Sequence, residues 1–146
     1  MGMRVSEIVN IKITDIDSGN MRVLIEKSKW KKDRYVNLPE SILLQLREYY
    51  TKYKPKKYLF EGQYGEQYSY RSVQKVFEDA LKKAKINKVI GIHGLRQSFA
   101  THLLESDTDI RFIQEILGNN DIKTTLRYTH VSQKNIRNIK SPLDTI

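Results

Sequence analysis

An amphipathic stretch between residues 70 and 85 constrains the fold of this chain more than any other feature. Its apolar side chains recur at the three- and four-residue spacing of one helix face. They are Val73, Val76, Phe77, Ala80, Leu81 and Ala84. The pattern predicts a helix with a single apolar face.

Five further helices are predicted from periodicity, caps and breakers. The first covers residues 4–11, and the second is opened by Pro39-Glu40 and stopped by Pro55. The third begins near Gly94 and buries Leu95, Phe99, Leu103 and Leu104. The fourth is capped by Asp107-Thr108-Asp109 and ended by Gly118, and the fifth is a short helix over residues 122–128. Helices therefore make up most of the predicted structure.

A small sheet is predicted near the N-terminus. Residues 21–26 alternate as a strand, residues 34–38 form the partner, and a basic hairpin tip lies between them. Residues 58–60 are a candidate third strand. The predicted fold class is mainly α with a small antiparallel β-sheet.

Composition narrows the classes of function. The chain has 146 residues, a length typical of one domain. Without cysteine it has no disulfide, no Cys-type zinc site and no thiol nucleophile, and no apolar run reaches transmembrane length. A cytoplasmic protein is expected.

The net charge of +9 favours a polyanionic partner. From the charge alone, a nucleic-acid-binding protein and a soluble basic domain without such a partner are about equally expected. Binding to a membrane surface is less expected.

Three short segments carry side chains that could act on a phosphate. His93 and Arg96 share one face at the start of a helix, where an anion is favoured. Taken alone, this spacing is more often a capping histidine beside a surface arginine. Tyr128 becomes a nucleophile only where fixed positive charge stabilises its oxyanion, and otherwise it is a core residue. Arg4 begins a helix, and it lies within a weak N-myristoylation pattern.

Taken together, these segments resemble the catalytic domain of the tyrosine recombinase (phage integrase) family, in order and in spacing. The resemblance runs from residue 2 to about residue 131. It is carried by Gly2-Met3-Arg4-Val5-Ser6-Glu7, Lys29, His93-x-x-Arg96 with Ser98–His102, Leu117-Gly118 and Thr124-Thr125-x-x-Tyr128-Thr129-His130-Val131.

The resemblance implies that the protein is an enzyme of DNA integration and recombination, from a phage or another mobile element. Tyr128 would cut one DNA strand through a 3′-phosphotyrosine, and Arg4 and Arg96 would hold the scissile phosphate. Lys29 would protonate the leaving 5′-oxygen, and His93 would assist proton transfer at the nucleophile. Expected contacts to double-stranded DNA are Lys27, Lys31, Lys32, Arg34, Lys123 and Arg127. No P-loop and no acidic cluster for magnesium is present, so no metal or cofactor is expected.

Two departures from the family pattern bear on activity. Asn119 stands where His or Trp usually follows the Leu-Gly pair, and an amide can donate a hydrogen bond but cannot carry a proton. The chain also begins three residues before Arg4. The resemblance therefore implies an N-terminally truncated chain that lacks the opening helices and the DNA-clamping domain.

The resemblance also divides the chain. Residues 1–131 would be the catalytic domain. Residues 132–146 would be a tail that packs on a neighbouring recombinase protomer on DNA, through a stripe of Ile136, Ile139 and Leu143. Packing on its own core, or disorder, remains open for this tail. The isolated fragment is expected to be a monomer.

Two other functions remain open from sequence. The chain could be a DNA-binding fragment or a decayed recombinase that does not cut, because of Asn119 and the missing N-terminal part. It could also be a nicking–closing enzyme that relaxes DNA without exchanging strands, since that chemistry uses similar residues.

Overall fold

The structure, a computed structural model, describes residues 1–26 and 33–129. Within these ranges the helices are α1 (Val5–Asn10), α2 (Glu40–Tyr53), α3 (Tyr70–Lys83), α4 (His93–Glu105), α5 (Ile110–Leu117) and α6 (Ile122–Leu126). The strands are β1 (Ile16–Asp17), β2 (Arg22–Ile25) and β3 (Arg34–Asn37), and they form one antiparallel sheet in that order. The predicted fold class is confirmed.

The chain divides into two compact units. Of the described residues, the first unit comprises those within Met3–Arg96 together with Met1, and the second comprises those from Gln97 to Thr129 together with Gly2. Helix α4 contributes its first turn to the first unit and the rest of its length to the second. The predicted tail, including Ile136, Ile139 and Leu143, lies outside the described residues.

The first unit has its core on one face of the sheet. Val23 pairs with Val36 across β2 and β3, and both side chains are almost fully buried. The remaining members of this core are Ile11, Ile25, Leu38, Leu43 and Leu59. Alternation of buried and exposed residues along β3 confirms the predicted strand, because successive side chains of a strand point to opposite faces.

The third strand is not the one predicted. Ile16 pairs with Val23, so β1 completes the sheet on the β2 side. Tyr58 makes only an isolated bridge to Lys12. The prediction of a strand over residues 58–60 is therefore wrong, because this segment pairs with the loop after α1 and not with the sheet.

Helix α3 lies where its pattern predicts, but its apolar stripe is not buried against the described residues. Every α3 residue is at least partly exposed, and the Val76 side chain is 58% exposed. The helix begins at a capped N-terminus, where the Ser69 hydroxyl accepts a hydrogen bond from the Ser72 backbone N–H at 3.0 Å.

The second unit is built from α4, α5 and α6 around a small apolar core. Its buried members are Ala100, Leu104, Ile113, Leu117 and Tyr128. Both predicted ends of α5 are confirmed. The Asp109 carboxylate accepts the Arg111 N–H at 2.7 Å, and Gly118 adopts the left-handed conformation (φ 61°) that ends a helix.

The prediction that Leu95 is buried is wrong. Leu95 is 54% exposed, whereas the next residue, Arg96, is 4% exposed. Successive helical residues are about 100° apart around the axis, so a helix that buries Arg96 turns Leu95 away from the core. No helix of the described ranges has the length and apolar character that crossing a membrane requires.

A buried ion pair joins α1 to the sheet. Arg34 shares the core-facing side of β3 with Val36, opposite Ile25 on β2. Its Nη1 and Nη2 donate to Oε1 and Oε2 of Glu7 at 2.8 and 2.9 Å. The side chains of Arg34 and Glu7 are only 8% and 10% exposed. A charged pair this deep in the protein requires both partners.

The pKa of Glu7 reflects this pairing. Burial raises the pKa, but hydrogen bonds from the Arg34 side chain and the Arg4 backbone, together with the charge of Arg34, outweigh burial. The net effect is to lower the pKa from 4.5 to about 2. Glu7 is therefore ionised at every pH above that value.

We predict that this carboxylate controls the stability of the fold in acid. Because the folded pKa lies below the ordinary one, its contribution is complete above about pH 4.5 and is lost as the pH falls toward 2. Glu7→Gln is expected to lower the free energy of unfolding by about 3 kcal/mol at pH 7. The difference from the wild type should shrink to a small fraction of that value at pH 2, where about half of Glu7 is still ionised in the folded protein, as measured by urea unfolding across that range.

The control for this prediction is Glu26→Gln. Glu26 pairs with Lys12 at 2.7 Å, but its side chain is 53% exposed. Water screens such a pair, so this variant should unfold as the wild type does at every pH. A Glu7→Gln difference that stayed constant down to pH 2 would contradict the prediction.

Candidate active site

Arg4 is held at the start of α1 by a residue of the same helix. Its backbone N–H donates to Glu7 Oε2 at 2.7 Å, and its Nη1 donates to Glu7 Oε1 at 3.0 Å. Glu7 occupies the third position of the helix, where a carboxylate commonly reaches back to the capping residue. The Arg4 side chain remains 33% exposed, so an anion from solvent can reach it.

The same carboxylate holds Arg34, so Glu7 accepts four hydrogen bonds. Oε1 receives one from each of the two guanidinium groups, and Oε2 receives one from Arg34 and one from the Arg4 backbone. A carboxylate has about four lone-pair directions, and all of them are used here. Glu7 therefore fixes the position of Arg4 relative to the sheet.

A cleft of about 460 Å³ opens beside this cluster in the first unit. Residues from α1, the segment after α1 and β2 line it, together with Tyr58. Arg4, Glu7, Lys12 and Glu26 place charges of both signs along the cleft, in the ion pairs already described. The Arg4 side chain thus borders a concave surface.

His93 and Arg96 both lie in the first turn of α4, three residues apart. His93 is exposed, and Arg96 is buried with 4% of its surface accessible. A guanidinium in surroundings poor in water acts more strongly on a nearby charge than one in bulk solvent does. The turn thus carries one accessible imidazole and one buried positive charge.

Asn119 and Tyr128 belong to the second unit, on either side of α6. Asn119 directly follows the left-handed Gly118, and its Nδ2 donates to the Thr125 hydroxyl at 3.1 Å. The Tyr128 N–H donates to the Thr125 carbonyl at 3.0 Å. The Tyr128 side chain is 8% exposed and packs in the apolar core of this unit.

The predicted DNA contacts fall into three groups. Lys123 and Arg127 are exposed on and after α6. Lys27, Lys29, Lys31 and Lys32 lie outside the described residues. The Arg34 side chain faces the core and holds Glu7, and its contact with DNA stays a prediction.

Two residues of the site were given no role from sequence. Glu7 was quoted within the motif around Arg4, and its i, i+3 spacing from Arg4 at a helix start is a signal for a supporting carboxylate. Thr125 was quoted within the motif around Tyr128, but that motif does not indicate its partner Asn119, which is six residues earlier. Within residues 1–26 and 33–129, no group of three or more His, Asp or Glu side chains is arranged to hold a metal ion.

Comparison with known proteins supplies the family. The chain is 39% identical over 145 residues to the tyrosine recombinase XerD of Staphylococcus epidermidis, a match that covers 93% of this chain and 48% of that protein. The chain thus spans about half the length of the curated relatives it matches.

Solved structures agree in fold. The crystal structure of XerA recombinase superposes with a TM-score of 0.84 at 34% identity, covering 93% of this chain and 50% of that one. XerH site-specific recombinase, bound to palindromic difH substrate in a post-cleavage complex, gives 0.80 at 29% identity, covering 90% and 39%.

The profile of the phage integrase family matches residues 1–135, which is nearly the whole chain. This match confirms the resemblance that the motifs around Arg4, Arg96 and Tyr128 carry. The chain belongs to the phage integrase family of tyrosine recombinases.

Proposed function

We propose that this chain is the catalytic domain of a site-specific DNA recombinase, over residues 1–131. It acts on double-stranded DNA together with other protomers, and residues 132–146 contact a neighbouring protomer. It cuts one strand through Tyr128 and rejoins that strand to a new partner. The relative XerH, which is bound to a DNA substrate after cleavage, supports this assignment.

The observation that carries the proposal is the fixed position of Arg4. Charge develops on the nonbridging oxygens of a phosphate during transfer, and groups already in place stabilise it without reorganising. The Glu7 carboxylate supplies this preorganisation by binding both the backbone and the side chain of Arg4. Arg96 is the second phosphate ligand in the proposal, and its burial strengthens its field.

The proposed reaction conserves the phosphodiester energy. The Tyr128 oxygen attacks phosphorus as its proton passes to His93, and the bond from phosphorus to the 5′-oxygen breaks. Lys29 gives that oxygen a proton, which leaves a 3′-phosphotyrosine and a 5′-hydroxyl. A 5′-hydroxyl from another strand then attacks the phosphotyrosine and releases Tyr128.

Tyr128 must reach the DNA for this reaction. In the described structure its side chain is 8% exposed within the core of the second unit. The proposal therefore includes exposure of the tyrosine when DNA binds. Lys123 and Arg127 lie on the same short segment and are exposed, so phosphate contacts made by these two cations would act directly on it.

Asn119 favours a second candidate, a DNA-binding protein with little or no cleavage. Its side-chain amide is buried and engaged with Thr125, and an amide cannot carry a proton as histidine does. In this alternative the exposed cations hold DNA, while the chemical step is slow.

The first prediction from this proposal concerns Tyr128 as the nucleophile. On a duplex nicked beside the cleavage site, the full-length protein should form a covalent DNA adduct, because the released fragment cannot return. Tyr128→Phe should form none, since it lacks the attacking oxygen, and should bind DNA as before. Tyr64→Phe, at a side chain 88% exposed, is the matched control and should form the adduct normally. An adduct that persists in Tyr128→Phe would overturn the proposal.

The second prediction tests Lys29 as the acid. Lys29→Ala should slow cleavage of an ordinary phosphodiester by about 10²–10⁴-fold. Replacing the 5′-bridging oxygen with sulfur should restore most of the lost rate, because a thiolate leaves without being protonated. Lys75→Ala, at an exposed lysine paired with Asp79 on α3, controls for loss of a positive charge. An equal loss on both substrates would exclude Lys29 as the acid.

The third prediction separates the two candidates. Asn119→His should raise the single-turnover cleavage rate and leave DNA affinity unchanged, because imidazole can both donate to Thr125 and carry a proton. A large gain from a wild-type rate near zero, with unchanged binding, would favour the second candidate, a recombinase decayed at this position. A measurable wild-type rate that Asn119→His leaves unchanged would mean that the amide suffices for catalysis.

A further inference from the structure

A buried hydrogen bond links Asn119, at the end of α5, to α6, the helix that precedes Tyr128. Thr125 is the fourth of the five residues of α6 and is 0% exposed, and Asn119 is 8% exposed. The Asn119 Nδ2 donates to the Thr125 Oγ1 at 3.1 Å. Away from water, each polar group depends on its protein partners, so this bond fixes both side chains.

The backbone of Asn119 is held from the other side. Its N–H donates to the Gln114 carbonyl at 3.1 Å, and its carbonyl accepts from Gln114 Nε2 at 3.1 Å. The left-handed Gly118 before it ends α5. Asn119 therefore extends the end of α5, and its side chain reaches across to α6.

Thr125 continues the connection to Tyr128. Its carbonyl accepts the Tyr128 N–H at 3.0 Å, while its hydroxyl holds the Asn119 amide. A continuous series of hydrogen bonds thus runs from α5 through Asn119 and Thr125 to the backbone of Tyr128. All of it lies within the second unit.

We propose that Thr125 is a positioning residue for strand cleavage, acting through Asn119. It orients the Asn119 amide and ties the segment that carries Tyr128 to the end of α5. This inference rests on the proposed function, in which Tyr128 is the nucleophile. Asn119 and Thr125 are thus expected to act as a coupled pair, so that the effect on the cleavage rate of changing either residue depends on the other.

The test is a double-mutant cycle in the full-length protein on the nicked duplex. Thr125→Val keeps the shape and removes the hydroxyl. It should lower the single-turnover rate at saturating DNA by about 10-fold, because the buried amide is left without that acceptor. The DNA concentration that gives half the maximal rate should not change, and Thr125→Ser should restore the rate. In an Asn119→Ala background, Thr125→Val should have less than about a 2-fold further effect.

Thr124→Val is the matched control, because it is the same change one residue earlier at an exposed position. It should cleave at the wild-type rate. A Thr125→Val rate equal to that of Thr124→Val would overturn the inference. An equal loss in the Asn119 and Asn119→Ala backgrounds, or no rescue by Thr125→Ser, would also overturn it, because Thr125 would then act on the fold alone. All rates are compared at a temperature well below the melting temperature of every variant.

A second readout does not depend on cleavage. The side-chain amide hydrogens of Asn119, labelled with ¹⁵N and assigned by their loss in Asn119→Ala, should exchange with solvent about 10-fold faster in Thr125→Val. Unchanged exchange would contradict the positioning role. A wild-type protein that forms no adduct would instead refute the proposed function, so the two failures are distinguishable.

Discussion

The Glu7 carboxylate is the interaction on which the first unit of this protein depends. It accepts hydrogen bonds from the backbone and side chain of Arg4 and from the guanidinium of Arg34, so one anion joins a helix start to the inner face of a sheet. Without it, two guanidinium groups would face each other in a partly dry environment, where like charges repel strongly. The placement of Arg4 and the packing of β3 thus share one cause.

In the second unit, a neutral hydrogen bond and not an ion pair joins two elements of the fold. There a threonine and an asparagine, both buried, connect the end of α5 to the segment that carries Tyr128. A neutral hydrogen bond is weaker than an ion pair but more dependent on geometry, because it fails when either group turns away. Ionic support suits the role proposed for Arg4, which is to hold the scissile phosphate. Neutral support holds in place the segment that carries the proposed nucleophile, Tyr128.

Much of the fold could be predicted from sequence because its signals are local. The stripe that begins at Val73 and the caps at Asp109 and Gly118 are set by neighbours along the chain, and the helices appear where these signals place them. Strand β1 gave no such signal, because two residues show no periodicity.

Within the candidate site, the members of the family motif could be predicted from their order and spacing. Their burial and their hydrogen-bond partners could not. Arg34 was predicted to contact DNA, and its two-residue spacing from Val36 places its side chain on the core side of β3. Arg96 is buried in place of Leu95 because a helix turns by a fixed angle per residue, and hydrophobicity alone does not fix that phase. Thr125 depends on a partner across a turn, which no periodic pattern encodes.

The shared carboxylate also makes changes at this place in the protein depend on one another. Loss of Arg34 alone leaves a buried carboxylate without the guanidinium that binds both of its oxygens. Loss of Glu7 alone removes one acceptor from both arginines at once. A substitution of either member of the buried pair is therefore expected to be accompanied by a substitution of the other.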